Sequence, residues 1–404
     1  MERIKIGILR ETKTPPDRRV AIPPSSAAML PHLFPGTEVI VQPSSIRCFS
    51  DDEYRTAGVT VQEDISGCDW LIGVKEVKLE ALLPGKRYLF FAHVAKMQAY
   101  NRPLLLEALN KRITLVDYEY LRDEYNVRLI AFGRWAGIVG AFNGLRGWGL
   151  KSGRFNLDPA HSCHDRREMD AQLTSLDTGP VRILVTGGGR VATGVLETLF
   201  RTAIPVVGPD EYLANPALTP VICRIDPWHY TVRKDGNPFS FDDFCHHPEQ
   251  YKSDFRRFIP STDLLMSAHF WDPASPKMWD PADTASDDFR IRVIADITCD
   301  IRGSVPTTIR ATSIADPFYD LDRRTGSELP AFSDPEAVTV MSIDNLPGEL
   351  PRDASEEFGS VLLRIVLPCM LGNDPGKVVH RATITRNGEL NDPFLYLDPF
   401  VRGE

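Results

Sequence analysis

The feature that most limits the fold of this chain is an apolar strand that runs straight into a glycine turn. Residues 181–185 lead through Thr186 into Gly187-Gly188-Gly189-Arg190-Val191-Ala192. Strand, turn and helix in that order let backbone N–H groups at a helix N-terminus receive a pyrophosphate. Gly187, Gly189 and Ala192 fit the Gly-x-Gly-x-x-Gly/Ala spacing. The same glycines would also serve a plain tight turn, so the discriminating residue is an acid at the end of the next strand, placed for ribose hydroxyls. Asp226, closing Val221-Ile222-Cys223-Arg224-Ile225, is the candidate, against the alternative of a surface aspartate before Pro227. It stands farther downstream than the usual spacing of about 20 residues, which predicts an insertion over residues 206–220. An acid here favours NAD over NADP, while Arg190 and Arg224 keep the phosphorylated cofactor open.

At 404 residues the chain exceeds one core of ordinary size, so two domains are expected. A net charge of −9 with no basic stripe argues against a nucleic-acid partner. The N-terminal Met1-Glu2-Arg3-Ile4-Lys5-Ile6-Gly7-Ile8 lacks the pattern of a signal peptide and reads as a first buried strand. No window approaches the roughly 20 apolar residues that span a bilayer, and a soluble, cytoplasmic protein without a membrane partner is expected. The seven cysteines are scattered, with no Cys-x-x-Cys pair, as free thiols in a reducing compartment would be. Cys245-His246-His247 is adjacent rather than spaced for convergent ligation, so no metal site is expected.

Apolar runs of strand length at 5–9, 38–42, 70–74, 88–92 and 114–117 alternate with helix-like stretches. The alternation predicts βαβ units and parallel sheets flanked by helices. Residues 104–109 and 360–371 carry helical spacing. The small-residue segment 131–141 reads as a close-packed helix connecting the domains, and 153–179 as a surface insertion. Strands resume at 263–267, 291–297 and 338–343, and the register of 205–260 is obscure. A helix over 352–371 returns to the first domain. The expected division is therefore 1–140 with 350–404, and 141–349.

Two residues end apolar strands with chemistry to offer. Lys75, followed by Glu76, is a solvated strand-end charge on the bland reading; desolvated, it is a general base or a carboxylate-holding ammonium. His93 is a satisfied buried histidine on the bland reading, and otherwise a proton shuttle for a carbonyl or imine. Parallel strands place their C-terminal ends on one rim, so the two could face one cleft.

These segments resemble a known superfamily. Glu11-Thr12-Lys13 with Arg19, Ile72-Gly73-Val74-Lys75-Glu76, Phe91-Ala92-His93, Ala131-Phe132-Gly133 and Ser342-Ile343-Asp344-Asn345-Leu346-Pro347 follow, in order, the pattern of the alanine dehydrogenase, transhydrogenase and saccharopine dehydrogenase superfamily (AlaDH/PNT). Ala136-Gly137 and Leu350-Pro351-Arg352-Asp353-Ala354-Ser355-Glu356-Glu357-Phe358 make the chain most similar to its NAD-dependent, lysine-forming saccharopine dehydrogenases. The resemblance implies two Rossmann-like α/β domains with an interdomain cleft. It implies Lys75 and His93 as catalytic residues, Glu76 and Glu119 as acidic neighbours, and Arg19 and Arg128 as receivers of substrate carboxylates. Gly187, Gly189, Arg190, Ala192, Asp226 and Asp296 would contact NAD, Asp344 would lie near the nicotinamide, and Asp300 matches an active-site aspartate of the alanine dehydrogenase branch.

The chain departs from the pattern at a shortened glycine turn, at Tyr230 in place of a cofactor-binding arginine, in the long segments 153–179 and 206–260, and in an extra loop at Arg323-Arg324-Thr325-Gly326. The implied activity is saccharopine cleavage to lysine and 2-oxoglutarate. The alternatives are oxidative deamination of a small amino acid, as in alanine dehydrogenases, and a non-catalytic NAD-binding regulator. The expected partner is an amino-acid or 2-oxo-acid substrate, and a homo-oligomer is admitted.

Overall fold

The computed structural model describes residues 3–214 and 219–404, arranged as two compact units, Met1–Phe132 with Pro351–Glu404 and Gly133–Leu350. Met1, Glu2 and residues 215–218 of the expected insertion lie outside the described residues. The expected boundary at 140 falls inside the helix Gly133–Ser152, which belongs whole to the second unit.

The first unit begins with β1 (Ile4–Ile8), β2 (Thr37–Val41), β3 (Thr60–Val61), β4 (Trp70–Lys75), β5 (Arg87–Phe91) and β6 (Thr114–Asp117). The second holds β7 (Arg182–Thr186), β8 (Val206–Val207), β9 (Val221–Ile225), β10 (Thr231–Arg233), β11 (Tyr251–Ser253), β12 (Leu264–Ser267) and β13 (Val293–Asp296). It closes with β14 (Phe318–Leu321), β15 (Glu328–Leu329) and β16 (Val338–Met341), after which β17 (Thr383–Arg386) and β18 (Glu389–Leu390) return to the first unit.

Read from one edge, the first sheet runs β3-β2-β1-β4-β5-β6, parallel throughout, with β17 and β18 added antiparallel beyond β6. That is the doubly wound order, whose switch point lies between β1 and β4. The second sheet runs β8-β9-β7-β12-β13-β16, again parallel, with antiparallel β14 and β15 beyond β16. The expected parallel sheets are present, and a short antiparallel hairpin caps one edge of each. Within the expected insertion 206–220 the described residues add edge strand β8 and the helix Pro209–Ala214, while β9 takes the place beside β7. This is why Asp226 arrives late in sequence yet closes the strand adjacent to the glycine turn.

Strands such as β7 and β12, buried at every position, read as continuous apolar runs because helices cover both faces. The helix Gly133–Ser152 lies against this sheet and against the helix Arg190–Leu199. Its glycines at 137 and 140 make that approach possible: an added Cβ would sit 1.9 Å from the Val191 carbonyl oxygen at the first and 2.5 Å from Ile297 at the second.

The segment 153–179 is more than a surface insertion. It buries Leu157, Met169 and Leu173, and the Trp148 indole donates to the Thr178 carbonyl. The return over 352–371 is helical but not one regular helix; an α-helix Pro351–Val361 passes through a wider turn, Leu362–Val366, before Leu367–Leu371. Pro368, in the first turn of that last segment, lacks the N–H that a continuous ladder would need there. Arg323 and Arg324 lie in the turn of the β14–β15 hairpin. No helix among the described residues is long and apolar enough to cross a membrane, and no cluster of three or more metal-ligating side chains occurs among them.

Candidate active site

In the first unit, β4 and β5 are neighbours, with Lys75 in register with Phe91. Lys75 closes β4 and His93 lies two residues past the end of β5, so both stand at the C-terminal rim where doubly wound sheets bind ligands. Lys75 is half-buried; desolvation, and then the Arg19 guanidinium, hold its ammonium below the ordinary lysine range. Burial also lowers the His93 imidazole, against the pull of the Glu119 carboxylate.

The local supports are specific. Glu11, just past β1, accepts the backbone N–H groups of Val74 at 2.6 Å and Lys75 at 2.9 Å, pinning the end of β4 across the switch point. Burial pushes its carboxyl up to about 8. His93 has left-handed backbone, φ 56°, held by Asp117, which accepts its N–H at 3.0 Å, and by Asn101, which donates to its carbonyl at 3.2 Å. Left-handed geometry at a non-glycine residue persists only where surroundings impose it. The Asp117 carboxyl is buried and raised to about 7.

Around the histidine, Glu119 meets two cations and the imidazole: Lys96 at 3.1 Å, Arg128 at 3.9 Å and His93 Nδ1 at 3.4 Å. Glu76 pairs with Lys13 at 2.7 Å; despite burial, that bond keeps its carboxyl below the usual range. Arg19 is buried and doubly bonded by Asp17, at 3.0 Å through Nε and 2.6 Å through Nη2, and its guanidinium lies 4.2 Å over the Phe132 ring. Phe132 in turn stacks on Phe358 at 4.3 Å, so residues from two distant sequence motifs meet here. A substrate carboxylate at Arg19 would share the guanidinium with Asp17, whose own carboxyl, though buried, is held down to about 2 by that pairing.

In the second unit the glycine turn follows β7. Gly187 has φ 97°, and a Cβ on it would meet the Ala268 carbonyl oxygen at 2.7 Å. Gly189 caps the helix Arg190–Leu199 with no side chain, is exposed, and would meet nothing within 4 Å if it carried a Cβ. Backbone N–H groups are thereby open to a pyrophosphate, which fits a dinucleotide. Arg190 is exposed beside them, and Ala192 is buried under the turn.

Asp226 is buried at the end of β9, and Arg224 brackets its carboxylate at 3.0 Å and 2.9 Å. Across this sheet's switch point, between β7 and β12, Thr186 Oγ1 lies 2.7 Å from His269 Nδ1, and burial lowers that imidazole to about 4. Tyr230 is buried and packs edge-on toward the His269 ring at 6.2 Å.

The three remaining acids occupy different settings. Asp296 is fully buried, raised to about 6 by desolvation, and accepts hydrogen bonds from Thr298 and Thr308, which tie down the loop after β13. That loop carries Asp300, half-buried and raised by burial. The neighbouring loop after β16 carries exposed Asp344, and the Cys299 thiol bridges the two by donating to the Ser342 carbonyl at 3.0 Å.

Sequence reading assigned no role to Glu11, Asp17, Asp117 or His269. Of these, only Glu11 carried a signal, as an acid just after a buried strand.

Residues 7–139 match the family described as alanine dehydrogenase/PNT, N-terminal domain. The mouse mitochondrial alpha-aminoadipic semialdehyde synthase is 30% identical over 97% of this chain and 47% of its own length; the chain spans about half the length of such synthases. Saccharopine dehydrogenase [NAD(+), L-lysine-forming] of Yarrowia lipolytica is 25% identical over 90% of this chain and 92% of its own. Among solved structures, an L-alanine dehydrogenase shares the fold with a TM-score of 0.67 at 17% identity, over 98% of this chain and 100% of that one. Residues 7–139 thus match the N-terminal domain of that family, and over most of its length the chain is similar to saccharopine dehydrogenases and to the synthases.

Proposed function

We propose that the chain is an NAD-dependent amino-acid dehydrogenase acting on a carbon–nitrogen bond, and that its reaction is the conversion of saccharopine, NAD and water to lysine, 2-oxoglutarate and NADH. The observation that carries this reading is the pairing of a desolvated lysine and a desolvated histidine on adjacent strand ends of one sheet. The names of the fungal relatives support the same chemistry.

The glycine turn would hold a dinucleotide through its backbone N–H groups, and that group would supply the hydride acceptor. The amine of Lys75, neutral in a larger fraction than a solvated lysine, takes the proton of the substrate's secondary amine as the imine forms. His93 then removes a proton from the water that adds to the imine carbon and returns it to the departing amine. Glu119 holds the imidazole in place and stabilises its charged form. Arg128, half-buried over the Phe91 ring at 5.4 Å, presents a guanidinium fork to a substrate carboxylate. Asp226, bracketed by Arg224, would hold the adenosine ribose.

A second reading, deamination of a small amino acid, is favoured by Asp300, whose half-buried carboxyl is held toward its neutral form and suits proton delivery. NADH oxidation by the purified chain separates the two. Turnover requiring lysine with 2-oxoglutarate supports the first, turnover with pyruvate and ammonium the second, and NADH binding without turnover leaves a regulatory NAD-binding protein. Replacing Lys75 by Met should lower kcat by about 10²–10⁴ with the fold intact; full activity in that variant would refute the assignment.

A further inference from the structure

The β14–β15 turn closes a cavity of about 460 Å³ in the second unit. Lys277, Arg302, Arg323 and Arg324 line it together with Thr284 and Thr307, and no carboxylate does so among the described residues. Acids close in sequence to the lining are committed elsewhere; Asp280 accepts the Ala282 backbone N–H at 2.9 Å. Asp283 pairs with Arg256 at 3.3 Å, Glu328 pairs with Arg310 at 2.8 Å, and Asp322 accepts the backbone N–H groups of Arg324 and Thr325, each at 2.8 Å.

The cavity is built rather than incidental. Arg323 is fixed by donating to the carbonyls of Thr284 at 3.1 Å and Ser286 at 2.5 Å. The Tyr319 hydroxyl donates to the Thr307 carbonyl at 2.7 Å and accepts the Ile309 N–H at 3.0 Å, locking the wall on that side. Thr307 is 1% exposed, yet its Oγ1 has no hydrogen-bond partner among the described residues. A buried hydroxyl in that state is destabilising until something supplies a partner. The volume lies within the range of small-molecule sites, roughly 300–1,000 Å³. β14 lies four strands from β7 in the sheet, roughly 19 Å at ~4.8 Å per strand, so this site is distinct from the glycine turn.

We propose that this cavity binds a compact polyanion, phosphoryl or polycarboxylate in chemistry, with the arginines receiving its oxygens and Thr307 Oγ1 donating to one of them. Calorimetric titration of the full chain with inorganic pyrophosphate and, separately, with citrate tests it and distinguishes the two chemistries. At least one probe should bind, and the double variant Arg302→Ala/Arg324→Ala should weaken it by roughly tenfold or more. Thr307→Val should weaken it several-fold while the thermal midpoint holds or rises, which a merely structural threonine would not do. Gly189→Ala, at the dinucleotide turn, should leave it unchanged. Silence with both probes, or binding lost in Gly189→Ala and untouched in the arginine variant, overturns the proposal. None of these readouts needs turnover, so the result stands apart from the proposed dehydrogenase activity.

Discussion

The Glu11 carboxyl accepts the backbone N–H groups of both Val74 and Lys75, at 2.6 Å and 2.9 Å, and so fixes the lysine's main chain from a neighbouring strand. This contact spans the switch point of the first sheet, where β1 and β4 diverge into their loops. It is formed by an acid that burial pushes up to about 8.

That shift gives stability a definite slope with pH. An unfolded glutamate titrates near 4.5. Below that both states are protonated and Glu11 contributes no pH dependence. Between about 4.5 and 8 the unfolded state has lost a proton that the native state keeps, so stability falls as pH rises, and above 8 the loss is complete. The whole effect amounts to about 5 kcal/mol at most. Urea unfolding at several pH values should show wild type losing stability relative to Glu11→Gln from pH 5 to pH 8; parallel curves for the two would contradict the buried assignment.

The Lys75 amine is held down by desolvation first, by Arg19 next, and further by Lys13, while Glu76 pulls the other way. Replacing Lys13 with Met removes a neighbouring positive charge and releases Glu76 from its ion pair. Both changes raise the Lys75 pKa. The alkaline-going limb of the pH–rate profile that reports the free amine should therefore move to higher pH in Lys13→Met. Stability should change by less than about 1 kcal/mol, because the pair is partly exposed. A limb that stays in place or moves to lower pH would remove Lys75 as the group it reports.

On the proposed function, the Arg224–Asp226 pair would set the preference between NAD and NADP. The carboxylate that would bind the ribose hydroxyls also neutralises the guanidinium that would otherwise receive a 2′-phosphate. In Asp226→Ser that guanidinium is released, and the ratio of kcat/KM for NADPH over NADH should rise by about tenfold or more, which corresponds to ~1.4 kcal/mol. An unchanged ratio would mean that neither residue reaches the ribose.

The strands were legible in the sequence because buried parallel strands are continuous apolar runs, and β4, β5 and β6 stand where those runs do. The order of strands was less so: nothing in residues 206–220 signals that Val206–Val207 pairs outside β9 instead of beside β7, because that choice is made by the sheet and not by local propensity. In the site, strand-end position marks Lys75 and His93 only as candidates, and it is the family resemblance that assigns them roles. Asp17 could not, since its partnership with Arg19 depends on a turn that buries both. Buried acids such as Asp117 and Asp296 look in sequence like any strand-end aspartate; only the tertiary structure shows that their carboxylates serve the backbone and threonines of their own loops.

The helix Gly133–Ser152 shows how packing in the second unit reaches the glycine turn. Gly137 faces the Val191 carbonyl oxygen, where an added Cβ would lie at 1.9 Å, and Gly194 faces the Arg134 carbonyl oxygen, where it would lie at 2.0 Å. The two helices therefore touch backbone to backbone, and no side-chain rotation can relieve a methyl inserted there. Gly137→Ala must push the helix Arg190–Leu199 outward, at a cost of about 3 kcal/mol or more, and the glycine turn at that helix's N-terminus moves with it. Gly189→Ala adds a methyl to open space and should leave stability nearly unchanged. Both variants should weaken NADH binding in a fluorescence titration, but only Gly137→Ala should also lower the denaturant midpoint. Equal midpoints for the two would show that the helices separate without strain and that the close glycine contact does not position the turn.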